Sequence, residues 1–158
     1  MRQAFDDQQA QSGTVLAFDF GTKRVGVAVG DLARGIAHPL STIAFEDNRR
    51  RLDAIGALIA EWQPVRLVVG SPSCGLRDNH PLDAHIGRFI RRLHARFSIK
   101  VEVIDEGLSS WAASRRLSQV GLPSKSQKHI IDSMAACVIL ETWFEARRPG
   151  VTLPNNER

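Results

Sequence analysis

Two things are scarce in this chain, and each scarcity removes a class of function. Only two cysteines occur in 158 residues, Cys74 and Cys137, in dissimilar surroundings and without a CxxC pair or a metal-ligand spacing. Two reduced, unpaired thiols are the expected state, which sets aside a disulfide scaffold and a thiolate zinc site. Long hydrophobic runs are missing too: no window approaches the roughly 18 uninterrupted apolar residues of a membrane span. Residues 1–13 carry Gln, Asp and Ser but no apolar core of the signal-peptide kind, so a soluble cytoplasmic protein without a membrane partner is expected. Internal repeats, low-complexity tracts and interdomain linkers are also lacking. What is present is a chain of 43% hydrophobic residues, long enough for one domain with a real core. The expected organisation is a flexible leader at 1–13, a single domain at 14–148 and a flexible tail at 149–158. A net charge of +4 and a pI near 9.7 agree with an anionic partner such as nucleic acid without requiring one.

The chain is organised around residues 14–31, TVLAFDFGTKRVGVAVGD. Val15-Leu16-Ala17-Phe18 is an almost wholly apolar run of the sort that forms a strand covered on both faces. It delivers Asp19 to the chain reversal at Gly21, and a carboxylate there is costly unless something pairs with it. Val25, Val27 and Val29 alternate with Gly26, Ala28 and Gly30, which predicts a second strand with one branched and one small face. Four residues, Gly21 to Arg24, suffice for a tight antiparallel connection. Residues 35–45 supply a third strand, with Pro39 pointing to an edge position or a bulge.

Helical spacing of Leu52, Ile55, Ile59 and Trp62, capped by Asp47 or Asn48 and stopped by Pro64, predicts the first helix. Arg49, Arg50 and Arg51 open it and read either as a solvated basic face or as phosphate contacts. VRLVVG at 65–70 is a fourth strand, parallel to the first by the length of the crossover. A polar loop at 73–80 follows at what should be the carboxyl end of that strand, where open α/β sheets place their sites. Pro81 starts a second helix with an apolar stripe of Leu82, Ile86, Phe89, Ile90, Leu93 and Phe97. Arg88, Arg91, Arg92 and Arg96 lie off that stripe and read as solubilising. KVEVI at 100–104 is a fifth strand, ending in Asp105-Glu106-Gly107. Ser109 or Ser110 caps a short helix through Leu117, and 126–146 is a long helix carrying Ile130, Ile131, Met134, Ala135, Val138, Ile139 and Trp143, with Asp132 in its first turns.

The chemistry is in the acids at the ends of these elements: Asp19, the pair Asp105-Glu106, and Asp132. Three carboxylates converging on one end of a sheet repel one another unless a cation neutralises them. Oxygen donors without His or Cys select a hard ion, Mg²⁺ or Mn²⁺, and such ions serve phosphoryl chemistry. Plain alternatives exist for each acid. Asp19 can cap backbone amides at the turn, and Asp132 can cap its helix or pair with Lys128 one turn earlier. Asp105 is the weaker of its pair because neighbours on a strand point to opposite faces.

The block AFDFGTKRVGVAVGD resembles the opening motif of the YqgF family, pre-16S rRNA nucleases also called Holliday junction resolvase-like proteins. LVVGSP, VIDEGLSS and KHIIDSMAACVILETWF are similar, in order, to that family's fourth-strand, acidic and last-helix motifs, so the resemblance covers about Val15 to Phe144. It implies a ribonuclease H-like α/β fold: a five-stranded mixed sheet of order 3-2-1-4-5, strand two antiparallel, with helices on both faces. It implies an acidic triad of Asp19, Glu106 and Asp132 and metal-dependent hydrolysis of phosphodiesters at the 5′ end of precursor 16S ribosomal RNA during ribosome biogenesis. On that basis Asp19 is expected to bridge two Mg²⁺ ions, with Glu106 and Asp132 each completing a site. Lys23, Arg24, Lys125 and Lys128 are the expected contacts to the nucleic-acid backbone. The sequence departs from the family at Gly107, where Arg is common, and at residues 71–75, where a loop like LPLNMDG is usual. Ser109-Ser110 replaces a Thr pair. Every implied metal ligand is present.

Other readings share parts of this pattern. A Holliday junction resolvase, acting as a homodimer on four-way DNA, has the same fold and metals. A non-catalytic RNA-binding ribosome-assembly factor is favoured by Gly107 and the altered loop, and its binding would survive loss of Asp19. DFGTKRVG also resembles the phosphate-binding hairpin of sugar kinases and actin-like ATPases, but those need a second such domain to enclose the nucleotide.

Overall fold

A computed structural model of the chain describes residues 12–71, 83–105 and 125–147. The expected leader up to residue 11, the tail, the polar loop at 73–80 and the short helix at 109–117 lie outside these residues, as do Cys74, Leu82, Glu106 and Gly107. Strands β1 (Thr14–Phe20), β2 (Val25–Asp31) and β3 (Ile36–Ile43) form an antiparallel meander. Helix α1 (Asn48–Trp62) crosses to β4 (Arg66–Ser71), α2 (Asp83–Phe97) precedes β5 (Val101–Asp105), and α3 (Lys125–Arg147) comes last. The sheet has the order β3-β2-β1-β4-β5, with β4 parallel to both β1 and β5.

Local chemistry accounts for the boundaries. Asp31 turns the chain between β2 and β3 by accepting from the backbone amides of Ala33 and Arg34 at 3.0 and 3.3 Å, and Gly35 takes the left-handed φ of +66° that closes the turn. Pro39 sits on the edge strand, beside the register shift between Val27 and Ala28. Both features suit a residue that cannot donate to a ladder. Asp47 caps α1 by accepting from the Arg50 amide at 3.3 Å, and Gln63 ends it in a left-handed conformation one residue before Pro64.

The sheet divides the core in two. On one face Leu16, Phe18, Val25, Val27, Val29, Leu67 and Val69 pack with Ile55 of α1 and with Ile86, Phe89 and Leu93 of α2. On the other, Val15, Ala17, Ala28 and Val68 pack with Ala136, Cys137, Ile139, Leu140, Trp143 and Phe144 of α3. The alternation read in β2 is thus a division of labour: branched residues meet α1 and α2, small ones meet α3. Ile130, grouped by periodicity with the other apolar residues of α3, is 55% exposed. No helix among the described residues is long and apolar enough to cross a membrane.

Candidate active site

Strand parity decides where Asp19 points. Leu16 and Phe18 belong to the α1–α2 side and Val15 and Ala17 to the α3 side, so Asp19 falls on the α3 side. Its partner across the ladder is Gly26. A Cβ at Gly26 would collide with the carbonyl group of Asp132, and one at Gly30 would lie 2.8 Å from Leu140 and 2.9 Å from Phe144. Gly26 lets the α3 backbone seat against β2 while Gly30 makes room for the Leu140 and Phe144 side chains, and the contact at Gly26 sets Asp132 beside the end of β1.

Asp19 and Asp132 line one cavity of about 300 Å³, closed by the turn residues Phe20 to Arg24. The Arg24 guanidinium donates through Nε to Asp132 Oδ2 at 2.6 Å. The two side chains are 35% and 20% exposed, so the pair is partly withdrawn from water. Asp132 thus finds a partner on the β1–β2 turn, and Arg24, one of the expected nucleic-acid contacts, is engaged with this carboxylate. Lys23 is exposed on the same lining. Asp105, by the parity that sends Val101 to the α1–α2 side and Ile104 to the α3 side, faces away from Asp19. Lys125 and Lys128 belong to the first turns of α3, but their side chains, like Glu106, fall outside the described residues. Among the described residues no three His, Cys, Asp or Glu side chains form a group that could hold a metal ion. The two carboxylates that line this cavity are hard oxygen donors, of the kind that suits Mg²⁺ or Mn²⁺.

Residues 13–146 match the family model described as "RuvX: Holliday junction resolvase". The chain belongs to this family. A protein of Methylobacillus flagellatus named "Putative pre-16S rRNA nuclease" is 50% identical over 133 residues, 84% of this chain and 91% of that one. A Dechloromonas aromatica protein of the same name is 49% identical over 134 residues, 85% and 92% of the two chains. Among solved structures, Thermus thermophilus RuvC in complex with a Holliday junction substrate superposes with a TM-score of 0.52 at 15% identity, covering 85% of this chain and 95% of that one. That likeness is one of fold, and the fold is ribonuclease H-like.

Arg51 departs from what the sequence of the first helix suggests. Arg49 and Arg50 are exposed, but Arg51 is only 3% exposed. It donates to the carbonyl oxygens of Phe45 at 3.0 Å and Thr22 at 2.8 Å, and its guanidinium lies 5.3 Å from the Phe20 ring centroid. Burial lowers its pKa from the ordinary arginine value, and the nearby Glu46 carboxylate partly offsets this. Arg51 is a clamp that ties the turn lining the Asp19 cavity to the head of α1. Its sequence neighbours hid this: three consecutive arginines look alike until the turn at Thr22 is brought beside the third.

Proposed function

We propose that this chain is a nuclease that hydrolyses phosphodiester bonds with a divalent cation, Mg²⁺ or Mn²⁺, and that its substrate is the 5′ region of precursor 16S ribosomal RNA in the cytoplasm. The observation that carries this reading is the convergence of Asp19, from the central strand, and Asp132, from the helix seated on Gly26, on one cavity with Lys23 and Arg24. The substrate assignment is supported by the names of relatives 50% and 49% identical over most of the chain.

Asp19 and Asp132, together with Glu106 from the acidic motif that follows β5, would hold the ion. The chemistry such an ion supplies when bound is Lewis-acid polarisation of the phosphoryl group and activation of water. The protein's own contribution is placement. Asp132 is set from two directions, by its backbone against β2 and by the Arg24 guanidinium on its carboxylate. Asp19 is held by the β1 ladder to β2. Arg24 acts as a positioning residue, and Lys23 meets the phosphate backbone.

A second reading, cleavage of four-way DNA by a homodimer, is favoured by the family description. One experiment separates them: cleavage of end-labelled precursor leader RNA and of a four-way DNA junction with Mg²⁺, Mn²⁺ or EDTA, by the wild type and Asp19→Asn. Metal-dependent cutting of the RNA, abolished in the variant, is the expected result. Cutting of the junction alone would assign the resolvase activity. Full activity of Asp19→Asn would overturn the nuclease mechanism, and binding without cutting under every metal would make the chain an assembly factor.

A further inference from the structure

Beside the carboxylate cavity lies a second one of about 270 Å³, between α1, α2 and the turn after β1. Helix α2 contributes His85, Arg88 and Arg92 to its lining, and α1 contributes Arg51. Residues 85, 88 and 92 are spaced i, i+3, i+7, so they form one face of α2, flanking the buried stripe of Ile86, Phe89 and Leu93. By sequence the four arginines of this helix form one solubilising group, and the structure separates them. Arg96 pairs with Asp53 at 2.6 Å and lies over the Phe97 ring, and Arg91 is exposed outside the cavity. Arg88 and Arg92 face the cavity and make no ion pair with any described residue. The carboxylate on the described lining, Glu46, acts on the buried Arg51. Among the described residues, three guanidinium groups against that one carboxylate leave a cationic hollow.

We propose that this hollow is a phosphate-binding site that holds the backbone of the nucleic-acid strand next to the position where it is cut. Phe20 and Thr22 line both cavities, so the two are neighbours across the turn that Arg51 clamps. A strand seated at Asp19 and Asp132 would cross the shared Phe20–Thr22 turn to bring a further phosphate to Arg88 and Arg92. Guanidinium forks match phosphate oxygens in pairs, which a carboxylate-lined cavity alone cannot do. The site rests on the nucleic-acid reading above and extends it: the second cavity grips the strand and the first performs the chemistry.

The test reads binding apart from cleavage. In an Asp19→Asn background, fluorescence anisotropy measures the affinity of a short labelled single-stranded RNA of the precursor leader across a series of KCl concentrations. Arg88→Ala/Arg92→Ala is expected to weaken binding roughly tenfold and to flatten the dependence of log K on log[salt] by about 0.7 for each phosphate no longer neutralised. Arg88→Lys/Arg92→Lys, which keeps the charge but loses the fork, retains the slope and only part of the affinity. Arg91→Ala, on the same helix but outside the cavity, changes neither. Wild-type affinity and slope in the alanine pair would overturn the site, and so would an equal weakening in Arg91→Ala, which would reduce it to a general charge effect. If the alanine pair fails to fold by circular dichroism, Arg92→Gln alone decides by the same two readouts. Failure of the nuclease reading would look different: no cleavage by the wild type, with strand binding still dependent on Arg88 and Arg92.

Discussion

The two faces of the sheet are closed by different physical means, and the candidate chemistry follows the difference. Towards α1 and α2 the packing is made by side chains, among them Phe18, which meets Phe89 edge-on at 6.0 Å, and Phe20, 4.9 Å from the same ring. Towards α3 it is made at Gly26 and Gly30 by near approach of helix and strand, including backbone against backbone at Asp132. Side chains in a packed core can adjust by changing rotamer, whereas main chain against main chain cannot. The face that carries Asp19 and Asp132 is therefore the one whose helix position is least adjustable. The other face presents the longer, adaptable arginines of the second cavity.

Substitutions on the two faces test that contrast. Phe89→Ala should cost the most stability, about 3–5 kcal/mol for a buried aromatic truncated to a methyl group, read as a lower urea midpoint. The folded fraction should still cut, less well than the wild type, because Phe89 reaches the carboxylate cavity only through the Phe20 ring while α3 keeps Asp132 in place. Gly26→Ala should cost about 3 kcal/mol through overpacking, and its folded fraction should lose cleavage as well, since α3 must lift and carry Asp132 with it. Equal specific activity in these two variants would break the comparison. Arg51→Met removes both donations of the clamp and should cost about 1–3 kcal/mol by leaving acceptors unpaired. It should weaken strand binding and cleavage together, because Phe20 and Thr22 line both cavities. Arg24→Ala should cost least in stability, about 1 kcal/mol for a partly exposed pair, yet lower cleavage by about 10- to 100-fold, as removing a partner that orients a metal-binding carboxylate does. A fall in activity no larger than that of Lys23→Ala would make Arg24 a phosphate contact instead.

Much of the fold was legible because periodicity is a local property. The alternation of Val and Gly or Ala in β2 announced a strand with unlike faces, Pro39 announced an edge, and Asp47 with Pro64 bracketed α1. Asp19 was legible as a candidate for the same reason, as an acid at the end of an apolar run. What could not be read were the partners. Asp132 pairs with Arg24, 108 residues distant in the chain. Arg51 looked like Arg49 and Arg50, and differs only because its side chain reaches Thr22, 29 residues away. Arg88 and Arg92 looked like Arg91 and Arg96, and differ because Asp53 of α1 meets Arg96 and the turn after β1 opens opposite the other two.

By itself, then, the sequence determined the antiparallel meander, the faces of the strands and the elements on which the acids ride, since these depend on hydrophobic spacing and turn chemistry along the chain, while the full sheet order came from the family resemblance. Only the tertiary structure decided which charges meet. Charge pairing is set by distances of a few ångströms between residues far apart in sequence, and for Asp132 and Arg24 that distance follows from the seating of α3 against Gly26.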